Sequence, residues 1–163
     1  MSTGSAIVVA VTFVWLGMVL AISFLEAPLK FRAPNVTLQI GLGIGRLVFR
    51  ALNTVEVAFA LVIVAIVAGG TAGPPPARIA VPFAVGIAAL AIQLIAVRPR
   101  LTRRSDEVLA GSEGPRSHAH YVYVGLEAVK TVALLVAGVL LLNVCVGAFQ
   151  TQGGGYGIPF ADR

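Results

Sequence analysis

Four long apolar stretches dominate this chain, and the few polar positions inside them recur at helical spacing. Residues 6–25 carry no charge and number 20, enough for a helix to cross a hydrocarbon layer about 30 Å thick. A second stretch covers 47–68, a third 79–97 and a fourth 120–149. Gly69, Gly70 and Pro74-Pro75-Pro76 separate the second from the third, because proline has no N–H to continue a helix. Arg98-Pro99-Arg100 is read as the end of the third by the same reasoning. Residues 1–149 therefore predict an all-α integral membrane four-helix bundle in one domain, followed by a Gly-rich tail over 150–163.

Composition narrows the picture. The chain is 58% hydrophobic and 12% charged, about half the charge of a soluble domain, so its surface calls for a cover other than water. The single cysteine, Cys145, sits in an apolar run and acts as a small hydrophobe; one thiol rules out a disulfide framework within the chain. No basic segment precedes residues 6–25, which favours a retained helix over a cleaved leader. The loop before the second span holds Lys30 and Arg32, with Arg46 at its edge, and the loop before the fourth holds Arg98, Arg100, Arg103, Arg104 and Arg116. The intervening loop has Arg78 alone, so the positive-inside bias puts both termini on the non-cytoplasmic side. The net charge of +5 fits attraction to anionic headgroups on the cytoplasmic side. Nucleic acid is excluded as a partner, since no polar, aromatic-rich platform accompanies the arginines.

Two connecting regions read less clearly. Pro28 and Pro34 bracket a basic turn, and Val36 to Ile44 is either an interfacial helix or an extension of the second span. Gly41-Leu42-Gly43-Ile44-Gly45 lacks the βα context and the Lys-Ser/Thr of a phosphate loop. The spacing of Gly41 and Gly45 suits close helix packing instead. Residues 98–117 read as a solvated connector, with a short helix near 105–110 for which Ser105 is the candidate cap.

Candidate chemistry lies on stripes. At 100° per residue, His120, Tyr123, Glu127, Lys130 and Thr131 share an arc of about 100° on the fourth span. Arg46, Arg50, Asn53 and Glu56 form a comparable stripe on the second span, and Thr12, Trp15, Val19, Ser23 and Glu26 share a face of the first. Glu56 lies about 15 Å beyond Arg46, and Lys130 about 15 Å beyond His120, so the two reach the same depth. The expectation is a deep Glu56–Lys130 tier and a shallower tier pairing Glu26 with Arg46 or Arg50, with Asn53, Tyr123, Glu127 and His120 between them. Three acids then balance three bases, as a polar site in hydrocarbon requires. The third span, whose interior offers only Gln93, is assigned to packing.

Several uses are open to such a site. Interhelical polar contacts in lipid are worth only about 0.6 kcal/mol on average, so a purely structural network is a poor return on buried charge. No cofactor is expected, and no metal either: the Glu-x-x-His pairs of di-iron bundles are missing, and Lys130 would repel a cation. Haem would have one usable axial histidine, His120. An acid–base pair of Tyr123 or Lys130 with Glu127 keeps an enzyme in view, although no nucleophile motif is present.

The Ala27-Pro28-Leu29-Lys30-Phe31 and Gly45-Arg46-Leu47-Val48-Phe49 segments resemble the first hairpin of small four-pass bacterial inner-membrane proteins of unknown function. The resemblance covers about a quarter of the chain; it implies a bacterial inner membrane location and carries over no activity. The function expected first is transport or conduction of protons, ions or a small anion by an oligomer, with small residues such as Ala80, Ala84, Gly86 and Ala88 at the subunit contact. An accessory subunit of a larger membrane complex is the alternative, and a membrane-embedded enzyme or cofactor protein the third.

Overall fold

The computed structural model describes residues 2–109 and 118–153, and side chains at 104–105, 107–109, 118–120 and 149–153 lie outside the description. Four helical rods run through it. The first, α1, is continuous from Thr3 to Arg32, and α2 spans Leu38–Ala68. Helix α3 comprises Ala77–Ile92, a widened π turn at Gln93–Val97, and Arg98–Leu109, while α4 spans His118–Gly153. Each contains a window long and apolar enough to cross a membrane, and at most 33% of any such window is buried inside the protein. The remainder is an apolar exterior, with Leu47, Leu61, Val132 and Ile95 exposed; such a surface suits a multi-pass membrane protein.

Helices α1 and α2 start where the sequence supplies a cap. The Ser2 side chain accepts from the Ser5 N–H at 3.1 Å, and Thr37 accepts from the Ile40 N–H at 3.3 Å. Asn35 makes the α1–α2 turn with φ 65°, a value that asparagine tolerates better than most residues. Gly70 and Gly73, at φ 69° and 71°, turn the chain from α2 into α3.

Prolines account for the main departures from expectation. Pro28 does not end the first span, and Pro99 does not end the third. In each case the helix widens just before the proline: the Ala27 N–H bonds to the Ile22 carbonyl and the Arg98 N–H to the Gln93 carbonyl, both one residue longer than an α-turn. Widening relieves the proline ring's conflict with the preceding turn, so the helix continues. The short helix expected near Ser105 is therefore the end of α3, with Ser105 inside it and not at its cap. Residues 38–46 extend α2, and there is no separate interfacial helix. Helix α4 reaches Gly153, past the boundary expected at residue 150; residues 110–117 and 154–163, with the rest of the expected tail, lie outside the described residues.

Helix α4 packs along both α1 and α3, and α2 packs along α1 with lighter contact to α3, so α2 and α4 stand across the bundle from each other. Gly41 and Gly45 admit the end of α1: a Cβ on Gly41 would collide with the Phe31 ring, and one on Gly45 would lie 2.9 Å from Lys30 Nζ. On one side of mid-bundle, Val8, Leu16, Ala60, Ile63, Ile79, Phe83, Leu134 and Ala137 close into a dry core.

Candidate functional site

Where that dry core ends, the bundle axis becomes polar. Glu56 on α2 and Lys130 on α4 bridge the diagonal, with Lys130 Nζ 2.5 Å from Glu56 Oε1 and both side chains fully buried. Long side chains are needed here because the α2 and α4 backbones stand apart. Lys130 Nζ also lies 3.2 Å from Glu127 Oε1 and donates to Gln93 Oε1 at 3.0 Å. The ammonium's three N–H directions thus meet three oxygens.

The other groups lock this centre. The Trp15 indole N–H donates to Glu56 Oε1 at 2.9 Å, so α1 joins the site. Gln93, in the widened turn of α3, donates to Glu127 Oε1 at 3.1 Å and to the Tyr123 carbonyl at 3.4 Å. Its amide orientation follows: the oxygen must face Lys130 and the nitrogen Glu127. The Tyr123 hydroxyl donates to Asn53 Oδ1 at 3.3 Å, and the Phe49 ring meets the Tyr123 ring edge-on at 5.5 Å. Helix α3 is therefore a full member of the site, correcting its assignment to packing alone.

The site residues predicted from sequence divide into two groups. Asn53, Glu56, Tyr123, Glu127 and Lys130 come together, each almost fully buried. Glu26, Arg46 and Arg50 do not join them. Glu26 bonds Lys30 at 3.3 Å, one turn along the continuous α1, instead of an arginine. Arg46 pairs with Asp106 at 2.5 Å, because α3 continues past Pro99 and carries Asp106 alongside α2. Arg50 is exposed in a cleft at the same end. His120 opens α4, and its side chain is outside the described residues. Two members, Trp15 and Gln93, carry chemistry that the sequence reading missed. Their signals were the chain's single tryptophan on a buried face and the one interior polar residue of the third span.

The expected charge balance fails as a consequence. Without Glu26, Arg46 and Arg50, the buried centre has two carboxylates against one ammonium, a formal charge of −1. Glu56 Oε2, Glu127 Oε2 and Asn53 Nδ2 are buried without hydrogen-bond partners among the described residues. Each such group costs roughly 1–3 kcal/mol, more when charged, so a buried centre of this kind is not the cheapest way to hold four helices together. Among the described residues no three His, Cys, Asp or Glu side chains gather as metal ligands would.

No family model, no curated protein and no solved structure matches this chain.

Proposed function

We propose that this chain is a multi-pass bacterial inner-membrane protein that takes up and releases a proton at the Glu56–Lys130–Glu127 centre, as part of a transport role carried out by an oligomer. The observation that carries the reading is that two fully buried carboxylates share one buried ammonium. A net charge of −1 in a low-dielectric interior is costly, and one proton removes it. Each carboxylate keeps one oxygen without a partner among the described residues, which is where such a proton would reside. Intramembrane acids arranged around a base are the usual apparatus of proton relays.

The route also has a direction. Toward the arginine-rich end, Glu127 is followed by Tyr123 and Asn53, whose side chains hydrogen-bond each other. Toward the opposite end, among the described residues, lie the apolar core and Thr12, whose hydroxyl donates to the Val8 carbonyl. In this reading the arginine-rich end faces the cytoplasm, as the positive-inside bias suggests, and exchange occurs there.

The test is proton flux in liposomes loaded with a pH-sensitive dye, under an imposed potential. Wild type should exceed empty liposomes, with Glu56→Gln and Glu127→Gln both falling to background. Wild-type flux at background, or undiminished flux in both variants, would overturn the proposal.

A further inference from the structure

We propose that the arginine-lined cleft between α2 and α3 is a binding site for a phosphate-bearing anion, and that its natural occupant is the headgroup of an anionic phospholipid. The cleft has a volume of about 460 Å³ and is lined by Arg46, Arg50, Arg98 and Arg103 together with Leu94, Pro99 and Thr102. That space lies within the range of ligand sites and accommodates a glycerophosphate group.

Four arginines line the cleft against one carboxylate among the described residues, that of Asp106 on Arg46, leaving a formal charge of +3. Arg50, Arg98 and Arg103 form no ion pair among the described residues. Arg46 and Arg50 stand one turn apart on α2, a spacing at which like charges repel, and they face two more arginines across the cleft. Without an anion, the arrangement works against helix packing. With one, planar guanidiniums supply paired N–H donors matched to phosphate oxygens, and the Thr102 hydroxyl adds another donor.

The helices that carry the cleft point to a lipid source. Ile95 and Leu47, next in sequence to the lining residues Leu94 and Arg46, are 79% and 68% exposed. A charged cleft on helices that also present exposed apolar side chains suits a molecule with an anionic head and acyl chains. Free phosphate would use the arginines and leave the apolar side chains at that level without a role.

Native mass spectrometry of the intact protein released from nanodiscs tests the site. Nanodiscs containing phosphatidylglycerol are compared with nanodiscs of phosphatidylcholine alone, and inorganic phosphate is titrated separately onto the detergent-solubilised protein. Wild type should retain phosphatidylglycerol selectively. Arg50→Gln and Arg98→Gln should each lower retention by about fivefold, and the two together by about 25-fold. Arg100→Gln, at the same end but outside the cleft lining, should retain lipid as wild type does. Phosphate binding that the cleft variants abolish, with no lipid selectivity, would keep the anion site and overturn its lipid occupant. Equal retention by wild type, both single variants and the Arg100→Gln control would overturn the site altogether. Because the readout is bound lipid and not proton flux, it stands or falls separately from the function proposed above. A variant that melts well below wild type is replaced by the corresponding Arg→Lys substitution, which keeps the charge and should lose only the paired geometry, giving an intermediate retention.

Discussion

Replacing Lys130 with methionine probes the centre most directly. Methionine keeps much of the chain length and removes the ammonium, so Glu56 Oε1 and Glu127 Oε1 each lose their charged donor at one stroke. Removing one partner of a buried pair typically costs about 3–5 kcal/mol, because the remaining charge has no counter-ion. Here two carboxylates are left facing the same space, so the upper part of that range applies. For a chain of 163 residues each kcal/mol moves the melting temperature by roughly 2–4 °C, so Lys130→Met should lower it by on the order of 10 °C. The chain's one tryptophan, Trp15, is fully buried and bonded to Glu56, so its fluorescence reports unfolding at the centre itself. Melting followed by Trp15 emission and by helical circular dichroism should give coincident transitions. The decisive arm is the triple variant Lys130→Met, Glu56→Gln, Glu127→Gln, which removes every charge from the centre and should recover more than half of the loss. A Lys130→Met protein melting within about 2 °C of wild type, or a triple variant no better than the single, would refute the account of an excess buried negative charge.

Other perturbations separate the remaining contributions. Trp15→Phe removes the indole donor to buried Glu56 and should cost about 1.5–3 kcal/mol, read as a lower circular-dichroism melting temperature. Arg46→Gln breaks an ion pair whose side chains are 33% and 56% exposed; it should change stability by under about 1 kcal/mol, a small shift in the same melt. Gly4→Ala should destabilise, since its Cβ would lie 2.9 Å from the Thr71 backbone, which cannot swing aside. Gly17→Ala meets nothing within 4 Å and should stabilise by roughly 0.5–1 kcal/mol through helix propensity. A melting temperature that falls for Gly17→Ala, or does not fall for Gly4→Ala, would contradict the packing described for α1.

Much of this was legible in the residues. Four spans follow from uninterrupted apolar length, and the meeting of Glu56 with Lys130 follows from rise per residue once α2 and α4 enter from the same end. The two misplaced ion pairs share one cause, the treatment of Pro28 and Pro99 as helix stops. Ending α1 at Pro28 placed Lys30 in a loop and hid its one-turn spacing from Glu26. Ending α3 at Pro99 removed Asp106 from the neighbourhood of Arg46, 60 residues away in sequence. Proline rules describe the ordinary α-turn, and a widened turn escapes them by pairing each amide one carbonyl further back. Gln93 was visible as a polar residue, but its place in the centre depends on the local geometry of that same widened turn, which hydrophobic periodicity does not encode.

The positions of the two widened turns bear on how the bundle works. They lie in α1 and α3, at the arginine-rich side of the polar centre, and one of them contains Gln93, which bonds both Glu127 and Lys130. Helices α2 and α4, which carry the acids and the base, are regular throughout their described length. A rigid pair bearing charge is thus flanked by a pair whose hydrogen-bonding ladder is interrupted beside that charge, and such interruptions are where helices bend. On the other side α3 carries Pro82 next to the core residue Phe83, so its ladder lacks a bond there too, but without a widened turn. On the proposed function, the widened turns place bending in α1 and α3 on the arginine-rich side of the centre. Passage to the opposite end would require parting a packed apolar core or a surface supplied by a second subunit.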